Sequence, residues 1–434
     1  MTSSSPRNTV VVRPARNVAG VVSLPGDKSI SHRFAMLAAI AEGTTRLRNY
    51  STGQDCASTL ACVGALGCEW RKTAEGVIEI EGRGPRLQAP TAVLDCGNSG
   101  STMRMLSGIL AGQEFASELA GDASLTRRPM ARIMAPLSAM GAQITAAAGD
   151  RPPLRIRGGH LKAIDYRMPL ASAQVKSCVL FAGLLADGET VVEEPVRTRD
   201  HGELALRTFG AEVSRRGNEA RIVGGQKLHA IEATIPGDIS TAAFFLCAAA
   251  LFPGSQLTIN NLLMNPTRTR LLDLLIQLGV HISVTQLEER DGELVGSVLA
   301  QGKDLTGAIV AGADTAALID ELPVLAAIAP YSRDGVDIRD ARELRVKESD
   351  RIAVVAANLR AMGAEVEERE DGMRIPGGQK LHGAEIESHG DHRIAMAFAV
   401  AALRASGDTR IQDAVAADVS YPGFFETLDG LLQR

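Results

Sequence analysis

The sequence predicts an α/β protein of two domains, built from six βαβαββ repeats with three repeats in each domain. Three observations lead to this prediction: a short glycine-rich segment recurs, helical patterns end repeatedly at glycine, and polar loops lead into apolar helices at a regular spacing. The chain has 434 residues, of which 45% are hydrophobic, and a chain of this length is expected to form two cores rather than one.

The recurring segment is clearest as Arg221–His229, which returns almost unchanged as Arg374–His382. A weaker copy begins at Arg155, and fainter copies surround Gly82 and Gly302. The glycines at the centre of the copies are 66 to 78 residues apart. They are Gly82, Gly158, Gly224, Gly302 and Gly377. A solenoid is the less favoured alternative, because solenoid repeats are shorter, at roughly 20–47 residues.

Helical patterns also end at a glycine in five places along the chain. The residue pairs are Leu66-Gly67, Met140-Gly141, Phe209-Gly210, Leu278-Gly279 and Met362-Gly363. Glycine after the last helical turn is a common C-terminal stop, and a β-favouring alternation follows each pair. The sequence therefore places a strand after each of these helices.

A polar loop that leads into an apolar helix occurs six times. These helices stop near glycines that are 66 to 81 residues apart, namely Gly43, Gly112, Gly188, Gly254, Gly335 and Gly407. The interval from Gly407 through the C-terminus to Gly43 is similar, at 70 residues. We therefore expect both ends of the chain to share the sixth repeat.

Three repeats per domain require two crossings between the domains. Pro-Gly interrupts the pattern at Pro25-Gly26 and again at Pro236-Gly237. The predicted domains are therefore residues 1–24 plus 238–434, which contains both termini, and residues 25–237.

The composition limits the classes of partner. The net charge is −5 and aromatic residues make up 3%, which argues against nucleic acid or an anionic membrane as a partner. The six cysteines form no C-x-x-C pair, so we expect small buried hydrophobic side chains and no zinc site. The N-terminus is polar and no long apolar stretch occurs, which predicts a soluble, cytoplasmic protein.

Cations concentrate where helices are predicted to begin. Lys28, Lys176 and Arg393 lie at such positions, although a positive charge there opposes the helix dipole unless an anion lies between them. Arginines recur at the entries of the second helices, for example Arg128 and Arg351. The pattern predicts a positive site for small, multiply anionic ligands. Helix capping explains the Asp, Ser and Asn residues of the same loops equally well.

Two candidate acid–base groups lie in these loops. Asp320 opens one helix, and Glu348 lies beside Lys347 and close to Arg351. A carboxylate among cations stays ionised and can act as a base, whereas a carboxylic acid donor needs partial burial. A structural ion pair is the alternative for Glu348.

Together these loops resemble the signatures of the 5-enolpyruvylshikimate-3-phosphate synthase family. The matching segments occur in the family's order along almost the whole chain: Gly26–Ser29 with His32-Arg33, Gly97–Arg104, Arg128–Met130, Ser172–Lys176, Asp320-Glu321, Arg345–Arg351 and Asp391–Arg393. Arg199–Glu203 and Asn265–Arg268 are similar to the second major bacterial class. The resemblance implies an inside-out α/β barrel, with two domains hinged over a cleft that holds the active site.

The resemblance also implies the reaction. The enolpyruvyl group of phosphoenolpyruvate would move to the 5-hydroxyl of shikimate-3-phosphate by addition and elimination, with release of phosphate, in the biosynthesis of aromatic amino acids. The catalytic residues would be Asp320 near the hydroxyl, Glu348 as the acid at C3, and Lys28 for proton transfer and charge neutralisation. No metal or organic cofactor is implied, and we expect a monomer with no nucleic-acid or membrane partner.

The ligands of each substrate follow from the same resemblance. Shikimate-3-phosphate would be bound by Lys28, Ser29, Arg33, Ser172, Ala173, Gln174, Arg199, Asp320 and Lys347. Phosphoenolpyruvate would be bound by Lys28, Gly100, Arg128, Gln174, Arg351 and Arg393.

The chain departs from many relatives at Met105, where proline is common, and at Val419, where a lysine often precedes the Ser-Tyr-Pro segment. Together with Gly100, Met105 leaves the sensitivity to glyphosate open. One alternative is a UDP-N-acetylglucosamine enolpyruvyl transferase, but that family uses a loop cysteine near residues 122–128, where this chain has none. A non-catalytic anion-binding relative is the other alternative, and it would be expected to lose Lys28, Asp320 or Glu348.

Overall fold

The computed structural model describes residues 8–434, so most of the polar N-terminal segment lies outside the described residues. The chain divides into two compact units. Unit 1 contains the described residues up to Pro25, together with Pro236–Glu289 and Leu294–Arg434, and unit 2 contains Gly26–Ile235 and Arg290–Glu293. These boundaries lie within two residues of the predicted crossings, but the sequence pattern does not predict that Arg290–Glu293 belongs to unit 2.

The helices alternate with strands along the chain. In chain order they are α1 (Lys28–Ala39), α2 (Gln54–Ala65), α3 (Gly100–Ala111), α4 (Ala131–Ala139), α5 (Ala173–Leu184), α6 (His201–Thr208), α7 (Ile239–Ala250), α8 (Arg270–Gln277), α9 (Ala313–Ala317), α10 (Leu322–Ile328), α11 (Arg351–Ala361), α12 (His392–Ala402) and α13 (Phe424–Asp429). Short 3₁₀ turns precede or follow some of them, as at Leu125–Arg127 and Arg342–Val346.

The strands are mostly short. The first part of the chain forms β1 (Thr9–Val12), β2 (Asn17–Ser23), β3 (Ala41–Arg48), β4 (Trp70–Lys72), β5 (Ile78–Arg83), β6 (Leu94–Asp95), β7 (Ala116–Ala120), β8 (Gln143–Ala147), β9 (Arg151–Arg157), β10 (Leu161–Lys162), β11 (Asp165–Arg167), β12 (Ala186–Asp187), β13 (Glu189–Glu193), β14 (Val213–Arg216), β15 (Glu219–Val223), β16 (Leu228–His229) and β17 (Glu232–Thr234). The remainder forms β18 (Gln256–Leu263), β19 (His281–Arg290), β20 (Glu293–Gln301), β21 (Gly307–Val310), β22 (Gly335–Ile338), β23 (Glu367–Arg369), β24 (Gly372–Ile375), β25 (Glu385–Glu387), β26 (Thr409–Gln412) and β27 (Leu432–Gln433).

One strand order recurs in the sheets of both units. Examples are β6-β7-β9-β8, β11-β13-β15-β14 and β21-β22-β24-β23. In each of these sheets the first two strands are parallel, and the remaining neighbours are antiparallel. A parallel pair needs a crossover helix, whereas the last two strands can form a hairpin. The predicted βαβαββ repeat is therefore confirmed.

The two ends of the chain meet in one sheet. Strand β1 pairs antiparallel with β26, which is parallel to β25. It thus takes the position that the fourth strand in chain order has in the other repeats, so strands from near both ends of the chain lie in one sheet. Both termini of the described chain belong to unit 1.

The first helix of each repeat forms the core, and the sheets lie outside. In unit 2, α3 contacts both α1 and α5, and in unit 1 the helices α7, α10 and α12 contact one another. Every residue of α7 is buried, as expected for a helix that is apolar on all sides. Among residues 8–434, no helix is both long and apolar enough to span a membrane. Helices inside and sheets outside give the inside-out α/β arrangement that the resemblance implies.

Close packing explains the recurring glycines. A Cβ atom at Gly82, Gly158, Gly224, Gly302 or Gly377 would lie 1.7 to 2.3 Å from a backbone carbonyl oxygen. In each case that carbonyl lies at or just beyond the end of the repeat's first helix. The spacing visible in the sequence therefore records where strands pass against helix ends.

Candidate active site

Helix α1 begins at Lys28, the first predicted ligand. The preceding residue, Asp27, is the N-cap, and its carboxylate accepts a hydrogen bond from the Ile30 amide at 2.9 Å, which satisfies a donor that the helix start leaves open. The Lys28 ammonium lies 2.8 Å from a carboxylate oxygen of Asp55. The Lys28 side chain keeps 19% of its surface exposed, so it is held in one direction yet remains accessible to a ligand.

Arg33, in the first half of α1, links two predicted ligand segments. Its guanidinium donates to the carbonyls of Ser29 at 2.9 Å and Ala173 at 3.4 Å, and two of its nitrogens donate to Ser177 Oγ at 3.1 and 2.9 Å. Burial lowers the pKa of Arg33 to about 10, and the positive charge of Arg199 acts in the same direction. The structure therefore joins Arg33 to Ser29 and Ala173, and the charge of Arg199 acts on Arg33.

The loop before α3 accepts hydrogen bonds from Arg128. Ser99 is the N-cap of α3 and accepts a hydrogen bond from the Thr102 amide at 3.0 Å. Arg128 donates to the Asn98 carbonyl at 3.2 Å and to the Asn98 side-chain oxygen at 2.8 Å. A Cβ atom on Gly100 would lie 3.4 Å from Arg128 Nη1. Gly100 and Arg128, both predicted to bind phosphoenolpyruvate, are therefore neighbours.

Gln174 is joined to the same loop through Arg104, which the list of predicted ligands omits. Arg104 Nη1 donates to Gln174 Oε1 at 2.8 Å, and Gln174 Nε2 donates to Ser101 Oγ at 2.9 Å. The same Arg104 nitrogen lies 2.9 Å from the Cβ position of Gly100. A sequence signal for Arg104 exists, because it follows Gly100 by four residues and so lies on the same helix face.

The interpretation that Lys176 faces an anionic ligand is wrong. Its ammonium is fully buried and lies 2.9 Å from the carboxylates of both Glu194 and Glu203. Arg270, another cation at a helix start, is likewise paired, with Asp314 at 2.7 Å. The carboxylates come from segments distant in the sequence, so the pattern at the helix start does not reveal them. Ser172 is the N-cap of α5 and accepts from the Val175 amide.

In unit 1 the predicted residues gather around Arg351, whose side chain is 1% exposed. Arg351 Nη2 lies 2.6 Å from Glu348, Nε lies 2.8 Å from Asp391, and Nη1 lies 3.9 Å from Asp320. A guanidinium presents five donors in a fixed fork, so one arginine can orient three carboxylates. Asp391 is absent from the predicted ligands, although its motif placed it two residues before Arg393.

Asp320 lies between two further cations. The Lys347 ammonium is 3.9 Å from Asp320 Oδ1, and Arg393 Nη1 donates to the Asp320 backbone carbonyl at 2.6 Å. The Asp320 and Lys347 side chains are 18% and 25% exposed. The predicted unit 1 residues therefore form one cluster, in which an accessible carboxylate is flanked by positive charge.

The charges of this cluster shift one another's pKa values. Burial lowers the pKa of the Lys347 ammonium; the carboxylate of Asp320 opposes this shift, and the charge of Arg351 adds to it. Burial also opposes the charge of Arg351, but the carboxylates of Asp391 and Glu348 outweigh it and raise the pKa of Arg351 above its usual value. Burial disfavours ionised Asp391 as well, yet Arg351 keeps the pKa of that carboxyl low. Arg351 and Asp391 thus stay charged, whereas the charge on Lys347 is held less strongly.

Glu321, the residue after Asp320, is held in place by buried hydrogen bonds. The Ser240 hydroxyl donates to the Glu321 carboxylate, and Arg268 Nη2 donates to Ser240 Oγ at 2.7 Å. Glu321, Ser240 and Arg268 are all buried. Arg268, the last residue of the Asn265–Arg268 segment, therefore supports the position of Asp320 through Ser240 and Glu321.

Within the described part of the chain, no group of three or more His, Cys, Asp or Glu side chains is placed to hold a metal ion. The six cysteines are buried and form no disulfide.

Each unit thus carries a cluster of its own. The unit 2 cluster has the cations Lys28, Arg33, Arg104, Arg128 and Arg199, and the unit 1 cluster has the carboxylates Asp320 and Glu348 with the cations Lys347, Arg351 and Arg393. Arginine and lysine at this density suit phosphate and carboxylate groups. Partly exposed carboxylates beside them are available for proton transfer.

The chain is similar in sequence and structure to proteins described as EPSP synthases, or 3-phosphoshikimate 1-carboxyvinyltransferases. The sequence profile of the family described as EPSP synthase (3-phosphoshikimate 1-carboxyvinyltransferase) matches residues 12–428. The 3-phosphoshikimate 1-carboxyvinyltransferase of Koribacter versatilis is 61% identical over 98% of this chain and 100% of its own length, and that of Solibacter usitatus is 54% identical over 97% and 99%. The solved EPSP synthase of Acinetobacter baumannii superimposes with a TM-score of 0.87, at 42% identity over 98% of both chains.

Proposed function

The chain belongs to the EPSP synthase family, and on this premise we propose how its residues bind and convert the substrates. The protein is a transferase that moves the enolpyruvyl group of phosphoenolpyruvate to shikimate-3-phosphate, a step of the shikimate pathway towards the aromatic amino acids. We propose that residues of both units, corresponding to the predicted domains 1–24 plus 238–434 and 25–237, act on the same pair of substrates.

Shikimate-3-phosphate is proposed to bind mainly to unit 2. Its ligands there are Lys28, Ser29, Arg33, Ser172, Ala173, Gln174 and Arg199, with Asp320 and Lys347 from unit 1. The contacts of Arg33 with Ser29 and Ala173 support this set, because they fix two of its segments relative to each other before the ligand arrives.

Phosphoenolpyruvate is proposed to bind to two groups of arginines, one beside Gly100 in unit 2 and the other beside Asp391 in unit 1. Its ligands are Lys28, Gly100, Arg128, Gln174, Arg351 and Arg393, and we add Arg104. The ligand has a phosphate and a carboxylate, and a guanidinium can bind either group with two parallel hydrogen bonds. The missing side chain of Gly100 supports the assignment, since it leaves room beside Arg104 and Arg128.

The reaction has two steps. In the addition, the 5-hydroxyl oxygen bonds to C2 of phosphoenolpyruvate while C3 takes up a proton, and the hydroxyl proton passes to a base. In the elimination, C3 returns a proton and the C2–O bond to phosphate breaks, which forms the enol ether and inorganic phosphate. The reaction therefore needs a base at the hydroxyl, an acid–base group at C3, and cations at the leaving phosphate.

We assign the base to Asp320 and the C3 acid to Glu348, with Lys28 neutralising charge and assisting proton transfer. Lys347 and Arg351, each 3.9 Å from Asp320, favour its ionised form. Glu348 shares Arg351 with Asp391 and Asp320. An anionic substrate on Arg351 would compete for those donors and so leave Glu348 better able to hold a proton.

The observation that carries the assignment is the arrangement of Asp320, Glu348 and Asp391 around one buried arginine, Arg351. Replacing Asp320 by Asn or Glu348 by Gln should lower kcat by roughly 10²–10⁴-fold, the usual contribution of a general acid or base, while the KM of phosphoenolpyruvate changes little. Steady-state phosphate release with both substrates measures these parameters.

Glu370→Gln is the matched control, because it changes an exposed carboxylate of the same unit that pairs with Arg342. It should retain the wild-type kcat. A kcat within threefold of wild type in either Asp320→Asn or Glu348→Gln would remove that residue from the mechanism.

We also propose that the protein acts as a cytoplasmic monomer. One chain supplies all the residues assigned to both substrates, which supports a monomer. The six cysteines are buried thiols with no disulfide among them, which suits a reducing compartment.

A further inference from the structure

A buried ion cluster in unit 2 has no part in the reaction as proposed. It consists of Lys176, Arg215 and two carboxylates. Glu194 and Glu203 each lie 2.9 Å from the Lys176 ammonium, and they lie 3.1 and 2.7 Å from the Arg215 guanidinium. The side chains of Lys176, Glu194 and Glu203 are at most 1% exposed. Removing such charges from water is costly, and apolar side chains of similar volume often give equal or greater stability. Stability alone therefore does not account for the cluster.

The cluster joins two segments that carry proposed ligands of shikimate-3-phosphate. Lys176 lies in the first turn of α5, two residues after the Ser172–Gln174 segment. Glu194 follows strand β13 and Glu203 lies on α6, so these two carboxylates flank the loop that contains Arg199. One ammonium thus fixes the start of α5 relative to both ends of the Arg199 loop.

Glu194 also holds that loop directly. Its Oε2 atom faces Lys176 at 2.9 Å, and its Oε1 atom accepts hydrogen bonds from the Thr198 amide at 3.0 Å and from the Thr198 hydroxyl. Thr198 immediately precedes Arg199. A continuous path of charge-assisted hydrogen bonds therefore runs from the start of α5 to the residue next to Arg199.

We propose that Lys176, Glu194 and Thr198 are positioning residues for shikimate-3-phosphate: they hold the Arg199 guanidinium at a fixed place relative to the Ser172–Gln174 segment. This inference rests on the proposed function, in which Arg199 and Ser172–Gln174 bind that substrate. An arginine on an unsupported loop would lose conformational freedom on binding, and prior ordering removes this cost.

Thr198 offers the test that least disturbs the fold, because it is half-buried and Lys176 substitutions would leave buried carboxylates unpaired. Thr198→Val removes the hydroxyl donor at nearly constant shape, and Thr198→Ser keeps it. In the full-length enzyme, Thr198→Val should raise the KM of shikimate-3-phosphate by about tenfold, a change that the loss of one hydrogen bond to a charged group can produce. The kcat and the KM of phosphoenolpyruvate should stay within about twofold, and Thr198→Ser should behave as wild type.

A double-mutant cycle with Arg199→Ala decides whether Thr198 acts through Arg199. Arg199→Ala alone should raise the KM of shikimate-3-phosphate, and adding Thr198→Val to it should then have no further effect. If the two effects multiply, or if Thr198→Val lowers the melting temperature without changing that KM, the cluster is structural only and the positioning role is refuted. An unchanged KM in Arg199→Ala would instead refute Arg199 as a ligand, and with it the proposed binding site on which the inference rests.

Discussion

At the scale of single residues, the cations proposed to bind substrate are held by carboxylates from elsewhere in the chain. Lys28 pairs with Asp55, and Arg351 pairs with Asp391 and Glu348. Such pairs restrict long side chains before a ligand arrives, so less freedom is lost on binding. The positions of these cations were visible in the sequence as helix-start motifs. Asp55 was not, because nothing in its local sequence shows that it faces a lysine 27 residues earlier.

Gly100 provides the most direct test of the phosphoenolpyruvate site at this scale. In Gly100→Ala the added Cβ would lie 2.9 Å from Arg104 Nη1 and 3.4 Å from Arg128 Nη1, so at least one guanidinium must shift. We expect the KM of phosphoenolpyruvate to rise by roughly tenfold or more, because aligned charge-assisted hydrogen bonds are weakened. The KM of shikimate-3-phosphate should change by less than about twofold, and phosphate-release kinetics measure both constants.

Gly159→Ala is the control for a glycine-to-alanine change in the same unit, because a Cβ there meets no atom within 4 Å. It should leave both KM values unchanged. Equal phosphoenolpyruvate KM values in Gly100→Ala and Gly159→Ala would show that the space beside Arg128 is not used by the substrate.

The buried position of His32 should make the stability of the protein depend on pH. Burial lowers the pKa of His32 well below 6.5, and the charges of Lys28 and Arg33 act in the same direction. The folded protein therefore keeps this imidazole neutral, whereas the unfolded chain takes up a proton below about pH 6.5. The free energy of unfolding should fall as the pH is lowered below that value, with up to about 1.4 kcal/mol per pH unit due to His32.

Urea denaturation of wild type and His32→Asn between pH 7 and 5 measures this contribution. The variant should show a shallower fall in the free energy of unfolding. His281→Asn changes an exposed histidine and should keep the wild-type slope. Parallel curves for wild type and His32→Asn would mean that His32 does not take up a proton on unfolding in this range.

At the scale of elements, the β19–β20 hairpin has a turn that the local sequence indicates and tertiary contacts that it does not. Its turn, Asp291-Gly292, has positive φ at both residues, and Asp-Gly is a common choice for such a tight hairpin turn. The Asp291 carboxylate accepts a hydrogen bond from the Thr234 amide at 2.9 Å, and the Thr208 hydroxyl donates to the Asp291 carbonyl at 3.1 Å. The turn is visible locally, but the hydrogen bonds of its tip depend on partners more than fifty residues away.

The tip contact can be tested by comparing two turn glycines. Gly292 has φ +80° and a Cβ there would lie 2.4 Å from Thr208 Oγ1, whereas Gly217 has φ +59° with no atom within 4 Å. Gly217→Ala should cost about 1–2 kcal/mol of stability, because only backbone strain is added. Gly292→Ala should cost about 1–2 kcal/mol more, because the Thr208 contact is also lost. Equal shifts in the denaturation midpoint would contradict a tight contact at the hairpin tip.

The repeats, in contrast, were predictable element by element. Gly67, Gly141, Gly210, Gly279 and Gly363 all have φ between 88° and 112°, which is the conformation that stops a helix and favours glycine. A positive φ at one backbone position favours glycine at that position, so it can be recognised in the sequence. The carboxylate partners of Lys176 and Arg270 cannot be recognised in this way, because an ion pair between distant segments constrains neither local sequence.

At the scale of the whole molecule, the spacing of the six glycines from Gly43 to Gly407 was enough to predict that the chain closes on itself. The pairing of β1 with β26 completes a repeat whose other strands come from the opposite end of the chain. Which substrates the units serve could not be derived from the spacing. That conclusion rests on the helix-start motifs, on their resemblance to a family, and on the match of residues 12–428 to it.

The most direct measurement is phosphate release by the purified full-length protein, given phosphoenolpyruvate with shikimate-3-phosphate or with UDP-N-acetylglucosamine. The account predicts release with shikimate-3-phosphate only, and loss of that release in Lys28→Met and Asp320→Ala, one variant in each unit. Release with the nucleotide sugar alone, or with neither acceptor from folded protein, would contradict it.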